Sequence, residues 1–256
     1  DVQAEALNAL AAEIGADNCI VRRLDVTDRE DYKAAIAAFA AATDGKMDML
    51  YNNAGIGRGG PFADQPFEDV LAVVQVNFIG VLIGIHLSVP LLKATPGSMC
   101  FTTSSSSATF GMPGIAVYSA TKHAVKGLTE ALSIEFKAYG IRVADVLPGL
   151  IATPIIPREA VAAAASDGMF RLIPPIEVAK VVWEAYHSDK LPRQPGDRHD
   201  LFVAQGTGRR RQMTPAGGAD GRRRQAAASQ SLRMSASAEM PTARISTSRS
   251  GPGLGG

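Results

Sequence analysis

The feature that most constrains the fold is the alternation of helical stretches with short apolar runs along residues 1–205. Short apolar segments such as 19–21 and 143–146 suit strands that are covered on both faces. The pattern predicts helices at 3–14, 28–42, 67–94, 117–139 and 176–188, and strands at 19–24, 48–53, 98–103 and 141–146. We therefore expect an α/β fold with a doubly wound parallel sheet, helices on both faces, and ligands at the carboxyl ends of the strands.

Residues 206–256 differ in composition from the rest of the chain. They hold nine Arg against Asp220 and Glu239, a net charge of about +7, whereas the whole chain carries +1. They are rich in Gly, Ser, Ala and Arg and have no aromatic residue. We expect one domain at 1–205 and a disordered tail at 206–256. The Arg209–Arg211 and Arg222–Arg224 clusters are more typical of a solvated tail than of a nucleic-acid site.

Cysteine and histidine usage argues against several other classes of protein. Cys19 and Cys100 lie in separate apolar runs, which predicts neither a disulfide framework nor a metal cluster. The four histidines show no paired ligand spacing, and we expect no metal. We also expect no signal peptide, no apolar run long enough to cross a membrane, and a cytoplasmic protein.

A tyrosine and a lysine open the helix predicted at 117–139. Tyr118 and Lys122 are four residues apart, so both side chains project from one face of the helix. A phenol with an ordinary pKa of about 10 can act as an acid or base near neutrality only beside a positive charge. Tyr186 and Lys190 repeat the spacing, but Ser105 lies thirteen residues before Tyr118, at a strand end, whereas Ile173 holds that place before Tyr186. The first pair is therefore the predicted catalytic one.

Further polar features follow the strands in a fixed order. Asn52–Gly55 ends one predicted strand, Asn77 lies in the next helix, and Pro148–Gly149 follows the strand after the Tyr118 helix, with Thr153 shortly beyond. The alternatives are simple: Asn77 could be a structural hydrogen-bonding residue, and Pro148–Gly149 only a turn. Ser104, Ser106 and Ser107 are the alternatives to Ser105, and Asp25 could simply cap the helix at 28.

Taken together, these features resemble the short-chain dehydrogenase/reductase family over about residues 1–205. The matching segments are Leu24–Asp28, Asn52–Gly55, Asn77, Ser105, Tyr118–Lys122 and Pro148–Pro154. The resemblance implies a Rossmann-like fold and NAD(P)-dependent hydride transfer to or from a secondary alcohol or ketone. It implies that Tyr118 exchanges the hydroxyl proton and Ser105 binds the substrate oxygen. Lys122 would lower the Tyr118 pKa and hold the nicotinamide ribose, and Asn77 would position a water that relays protons.

The same resemblance implies a set of cofactor contacts besides Tyr118 and Lys122. They run from the adenine through the ribose to the nicotinamide: Asp25 and Val26; Asn52, Ala54 and Gly55; Pro148, Gly149, Ile151 and Thr153. Asp1 has the place of the acid that accepts from the adenosine ribose hydroxyls and repels a 2′-phosphate, which favours NAD over NADP.

One glycine-rich segment imitates a phosphate-binding loop. Gly55–Gly60 satisfies G-x-G-x-x-G after a strand, but Pro61 follows it and the next helix is predicted only near 67. We therefore reject it as the cofactor fingerprint. The resemblance places the true loop after a first strand, and we expect both to be missing before Asp1. An inactive remnant that only binds other subunits is the alternative function.

Two expectations concern the substrate and the partners. The segment 155–173 is rich in Ala and apolar, resembles the family's substrate lid, and suggests a small hydrophobic alcohol or carbonyl. The helices at 67–92 and 117–139 commonly form dimer faces in this family, which predicts a homodimer or homotetramer.

Overall fold

The computed structural model describes residues 1–156, 161, 171–188 and 201–205. The predicted tail at 206–256, most of the predicted lid and Lys190 lie outside the described residues. The expectations placed on these segments stay predictions.

A four-stranded sheet forms the centre of the described chain. Its strands are β1 (Met49–Asn52), β2 (Met99–Thr103), β3 (Arg142–Pro148) and β6 (Leu201–Gln205), in the spatial order β1-β2-β3-β6. The first three are parallel, whereas β6 is antiparallel to β3, and β4 (Leu150–Ile151) pairs with β5 (Leu172–Ile173) in a separate parallel ladder. The strands predicted at 48–53, 98–103 and 141–146 are confirmed. The sheet is therefore parallel except at the β6 edge, which the sequence did not predict.

The strand predicted at 19–24 does not form. Cys19 has extended backbone angles, φ −148° and ψ 150°, yet within the described chain no strand pairs with residues 19–24. One backbone hydrogen bond holds the segment, from the Leu24 amide to the Asp1 carbonyl at 3.0 Å. An apolar run becomes a strand only where a partner supplies the ladder, and this run lacks one among the described residues.

All five predicted helical stretches are confirmed, with end shifts of a few residues at most. The helices are α1 (Ala4–Ile14), α2 (Arg29–Ala42), α3 (Phe67–Val74), α4 (Gly80–Lys93), α5 (Ala116–Glu135) and α6 (Pro175–His187). Within the described residues, four single 3₁₀ turns cover Ala16–Asn18, Phe62–Asp64, Ser106–Ala108 and Phe136–Tyr139. Asp28 caps α2 by accepting from the amides of Glu30 and Asp31, so the alternative role of Asp25 as that cap is wrong.

A π-helical turn, Gln75–Ile79, joins α3 to α4, so that helix runs unbroken from 67 to 93. This helix, Phe67–Lys93, is long and apolar enough to cross a membrane, contrary to the sequence expectation. Its place in the fold accounts for part of this composition, because α4 packs on α2, β1 and β2 and buries Gly84, Ser88 and Leu92. About a third of the most apolar stretch of the helix is buried in this way.

The core has one layer on each face of the sheet. On one face, the strand residues Leu50, Cys100 and Val143 pack against α4 and α5 through Ile85 and Val125. On the other face, strand residues pack against α6: Met99, Phe101, Ala144 and Val146 against Val178 and Val182. Helices therefore cover both faces, as predicted.

The α2–α4 contact on the first face depends on a glycine. A Cβ at Gly84 would lie 2.4 Å from Tyr32 Oη and 2.7 Å from Asn52 Oδ1, and real Cβ atoms are not found that close to other atoms. The bare Cα of Gly84 therefore lets α4 approach the sheet over these two buried polar groups.

Candidate active site

Tyr118 and Lys122 lie on the first turns of α5 and meet on one face of it, as predicted. Lys122 Nζ lies 5.6 Å from the centroid of the Tyr118 ring. Lys122 is 5% exposed, and its Nζ donates to the Thr103 carbonyl at 2.8 Å, at the carboxyl end of β2. The ammonium is thus fixed between the tyrosine and the end of the central strands.

Ser105 is the serine that reaches the tyrosine. It follows β2 in an extended conformation, its hydroxyl bonds with that of Tyr118, and its Oγ accepts from the Ser107 amide at 3.2 Å. Ser104 instead donates to the Lys122 carbonyl at 3.2 Å. Ser107 Oγ is buried without a hydrogen-bond partner among the described residues. The spacing argument therefore selected the serine that faces Tyr118.

Burial shifts the pKa of both groups toward their neutral forms. It raises the pKa of Tyr118 above its ordinary value of 10.0, although the hydrogen bond with Ser105 acts in the opposite direction. Burial lowers the pKa of Lys122 to about 8, while the Asp145 carboxyl raises it. In this structure the Lys122 ammonium donates to the Thr103 carbonyl, and the lowering of the Tyr118 pKa by Lys122 that the resemblance implies stays a prediction.

Asn77 lies in the π-helical turn and is fully buried. Its Oδ1 accepts from the Ile56 amide at 2.8 Å, and its Nδ2 donates to the Ile56 carbonyl at 2.9 Å. A Cβ at Gly55 would lie 3.5 Å from Asn77 Oδ1 and 4.0 Å from Lys122 Nζ. The structure therefore brings Asn77, Gly55 and Lys122 together, and the amide of Asn77 clamps the loop that follows β1. Single π turns often mark functional sites.

Asn52 is not part of this arrangement. Its Nδ2 donates to Thr102 Oγ1 at 3.4 Å, and its Oδ1 lies close to the Cα of Gly84 in α4. The side chain of Asn52 therefore lies in the core between the sheet and α4, and the contact of Asn52 with the cofactor ribose stays a prediction. Ala54 and Gly55 are exposed at the strand end, where the prediction placed them.

Sequence reasoning missed Asn53 and Thr103. Thr103 Oγ1 donates to Asn53 Oδ1 at 2.7 Å and bonds with the Tyr51 hydroxyl at 2.8 Å, while the Thr103 carbonyl holds Lys122. For Asn53, the signal in the sequence was the alternation of side chains along β1. It puts Asn53 on the same face as Tyr51, and both are exposed, whereas Leu50 and Asn52 are buried.

The predicted adenine-side residues lie at the ends of the segment 1–26. Asp1 accepts from the Gln3 amide at 2.9 Å, and its carbonyl bonds to the Leu24 amide. Asp25 Oδ1 accepts from the amide and the hydroxyl of Thr27, which lowers the pKa of Asp25. A Cβ at Gly80 would lie 2.9 Å from Val26 Cγ2, so Val26 packs on the start of α4.

The predicted nicotinamide-side residues follow β3. The strand ends at Pro148, Gly149 comes next, and Ile151 in β4 pairs with Ile173 in β5. Thr153 Oγ1 donates to the Ile151 carbonyl at 3.3 Å. Because parallel strands end at one edge of a sheet, these residues share that edge with Gly55 and Ser105.

The donor set at this edge fits the nicotinamide and ribose part of a dinucleotide. An ammonium (Lys122), an amide (Asn53) and a hydroxyl (Thr153) offer the donors and acceptors that ribose hydroxyls and a carboxamide require. Among the described residues, no group of three or more His, Cys, Asp or Glu could hold a metal ion.

The glycines at 55–60 contact other parts of the protein and do not form a phosphate-binding loop. The Gly60 amide donates to the Gly114 carbonyl at 2.8 Å, and a Cβ at Gly59 would lie 3.1 Å from that same oxygen. A Cβ at Gly57 would lie 3.4 Å from Ile155. The loop continues into Pro61 and a 3₁₀ turn, and α3 begins only at Phe67. It does not open into a helix as a phosphate loop does, in agreement with the rejection from sequence.

Known proteins resemble this chain in sequence and in structure. The short chain dehydrogenase family profile matches residues 1–161. A cyclohexanol dehydrogenase of Acinetobacter sp. (strain SE19) is 34% identical over 186 residues, which cover 71% of this chain and 74% of the relative. A trans-4-hydroxycyclohexanecarboxylate dehydrogenase of Sinomonas cyclohexanicum is 36% identical over 153 residues, 59% of this chain and 58% of the relative.

A solved structure agrees with these matches. The 3-ketoacyl-(acyl-carrier-protein) reductase from Brucella melitensis, complexed with NADH, superposes with a TM-score of 0.65 at 29% identity. The superposition covers 72% of this chain and 77% of that one. The chain therefore belongs to the short-chain dehydrogenase family of NAD(P)-linked oxidoreductases.

Proposed function

We propose that this protein interconverts a cyclic secondary alcohol and its ketone, with Tyr118 as the acid or base that exchanges the hydroxyl proton. The observation that carries the proposal is the Tyr118–Ser105 hydroxyl pair, which lies beside the buried Lys122 at the carboxyl edge of the parallel strands. A proton donor, a second hydroxyl and a fixed cation around one point are what carbonyl reduction and alcohol oxidation require.

The residues of this chain divide the work as follows. Tyr118 gives its phenolic proton to the carbonyl oxygen in reduction and takes it back in oxidation. Ser105 donates a hydrogen bond to the same oxygen, and Lys122 offers its ammonium to the nicotinamide ribose. Asn77 keeps the loop after β1 in place through Ile56, which leaves Gly55 open beside Lys122. A bound nicotinamide supplies the hydride donor or acceptor.

The substrate class is inferred from the relatives. Two of them are named as dehydrogenases of six-membered-ring alcohols, cyclohexanol and trans-4-hydroxycyclohexanecarboxylate. We expect kcat/KM for cyclohexanol to exceed that for an acyclic secondary alcohol of equal carbon number. Equal values for ring and chain would contradict this choice of substrate class but not the oxidoreductase activity.

The cofactor preference is proposed to be NAD. Asp1 lies at the start of α1, and an acid at this place accepts from ribose hydroxyls and repels a 2′-phosphate. Asp1→Ala should lower the ratio of kcat/KM with NAD to kcat/KM with NADP. An unchanged ratio would remove Asp1 from the cofactor site.

A homodimer is proposed through α3 and α5. These two helices contact each other and expose large apolar side chains, among them Phe67, Leu71 and Ile134. Light scattering should give twice the mass of the chain, and Phe67→Lys should lower it. A monomeric wild-type protein would contradict the proposed dimer.

The test of the chemistry is Tyr118→Phe. The ring and its packing stay, but the exchangeable proton is lost, so kcat should fall by about 10²–10⁴-fold while NADH affinity measured by fluorescence persists. Lys122→Ala should weaken cofactor binding and turnover together. The matched control is Tyr186→Phe, a tyrosine that bonds to Arg142 through its carbonyl and should tolerate the change. A Tyr118→Phe protein that keeps nearly full turnover would contradict the proposal.

A further inference from the structure

A carboxyl group with no role in the proposed reaction lies under the catalytic helix. Asp145 is in the middle of β3 and is 0% exposed. Neither of its carboxyl oxygens has a hydrogen-bond partner among the described residues. A buried, unpaired polar group costs stability, so its presence calls for a physical explanation.

The register of the sheet places Asp145 in a polar row. Asp145 pairs with Thr102 of β2, and Thr102 pairs with Asn52 of β1. All three stand two residues beyond the apolar row of Leu50, Cys100 and Val143, so they point to the face that α4 and α5 cover. On the remaining side, β6 places Ala204 opposite Asp145. The charges that act on Asp145 therefore come from the helix above it.

Three charged residues of that helix, spaced one turn apart along it, act on the Asp145 carboxyl: Lys122, Lys126 and Glu130. Lys126 forms an ion pair with Glu130, and their side chains are 28% and 50% exposed. Lys126 acts on Asp145 more strongly than Lys122 does, but this pair reaches solvent, where its charges are screened.

Lys122 is in a different situation, because it is buried and bonded to an uncharged carbonyl. Asp145 is the charged group that acts on it against the effect of burial. A buried ammonium without a counter-charge gives up its proton readily, since the charged form is poorly solvated.

We propose that Asp145 is a positioning residue of the active site, which acts from beneath α5 as the buried counter-charge that keeps Lys122 protonated beside Tyr118. The inference rests on the proposed function of Lys122. It explains why a carboxyl occupies an apolar strand, and it predicts that the working pH range depends on a residue that does not touch the substrate.

The experiment replaces Asp145 with its neutral isostere and follows Lys122 directly. In protein labelled with ¹³C at lysine Cε, the Lys122 resonance is assigned by its loss in Lys122→Met. In Asp145→Asn the pKa of Lys122 should fall by about 1 unit or more, the effect of removing an opposite charge nearby. This reading needs neither cofactor nor substrate. It therefore still decides the matter if the proposed reaction proves wrong.

The enzymatic reading is the pH profile of kcat. In Asp145→Asn the alkaline limb should move to lower pH, because Lys122 loses its charge earlier, while KM for the alcohol at neutral pH changes little. The control is Glu135→Gln, which removes an exposed charge at the other end of the same helix and should leave both the Lys122 resonance and the alkaline limb unchanged.

A Lys122 pKa that is the same in Asp145→Asn and wild type overturns the proposal. If Asp145→Asn does not fold, the proposal is tested by titrating the Lys122 resonance in the wild-type protein. The Lys122 resonance must then show a second inflection at the pH where the ¹³Cγ signal of Asp145 titrates, and its absence overturns the proposal equally.

Discussion

Asp145 should make the protein less stable as the pH rises, and Asp145→Asn should abolish that loss. Burial raises the pKa of Asp145 from an ordinary 3.8 to about 7. A carboxyl with a higher pKa in the folded than in the unfolded state binds more protons when folded, so folding becomes less favourable as the pH rises. The penalty begins near pH 3.8 and is complete above about pH 7. At about 1.4 kcal/mol per pH unit, the total is about 4 kcal/mol, of which about 2–3 kcal/mol falls between pH 5 and pH 8.

The assay is urea unfolding at pH 5 and at pH 8, followed by far-ultraviolet circular dichroism. The free energy of unfolding of wild type minus that of Asp145→Asn should become more negative by about 2–3 kcal/mol between the two pH values. Taking this difference removes the pH dependence of every group whose pKa is the same in both proteins. Glu135→Gln, which changes an exposed charge at the end of α5, should keep the wild-type pH dependence. Parallel pH dependences in wild type and Asp145→Asn would refute a raised Asp145 pKa.

Two further predictions concern packing and chain organisation. Gly84→Ala should destabilise the protein by about 1–3 kcal/mol in urea unfolding, because its Cβ would collide with Tyr32 and Asn52; Gly127→Ala, which faces open space, should not destabilise it. Trypsin should cut residues 206–256 at their Arg clusters before it cuts the core, because this composition offers little apolar surface to offset the entropy of ordering. Earlier cleavage within the core would mean that the tail is packed.

The fold was predictable where a segment's own pattern decides its structure. Long helical stretches such as α2 and α5 were found because the spacing of their apolar residues is a local property. The run at 19–24 was misjudged because a strand also needs a partner, and its own residues do not report one. The π turn at Gln75–Ile79 is equally invisible, since its residues read as ordinary helix. It coincides with the two hydrogen bonds that bind Asn77 to Ile56, a residue 21 positions away.

The site was predictable where spacing along one element fixes the geometry. Tyr118 and Lys122 share a helix face, and Ser105 ends the strand beside that helix. The core position of the Asn52 side chain was not predicted, because a polar residue at a strand end can point to either face, and only alternation with the buried Leu50 assigns it to the core. Asp145 was overlooked because the segment 143–146 was treated as an apolar strand in spite of its one charge, although a buried carboxyl persists only at a cost.

The last prediction tests whether the G-x-G-x-x-G segment Gly55–Gly60 binds the cofactor phosphate. If Gly55–Gly60 cradled the pyrophosphate, an alanine there would raise the Kd for NADH. In this structure Gly59 instead faces the Gly114 carbonyl, and a Cβ would lie 3.1 Å from that oxygen. A backbone oxygen cannot rotate away as the end of a side chain can. Gly59→Ala should therefore shift the whole segment that carries Gly114 and Ile115, three residues before Tyr118.

We therefore expect Gly59→Ala to raise KM for the alcohol and lower kcat while the NADH Kd, measured by fluorescence, stays near the wild-type value. The cost of such overpacking is about 1–3 kcal/mol, which corresponds to roughly 5- to 150-fold in kcat/KM if all of it is expressed there. Gly111→Ala is the matched control, because its Cβ would meet nothing within 4 Å. A Gly59→Ala protein with a much weakened NADH affinity and an unchanged alcohol KM would restore the phosphate-loop interpretation. The physical basis of the expectation is that the Gly60 amide, which a phosphate would need, already donates to Gly114.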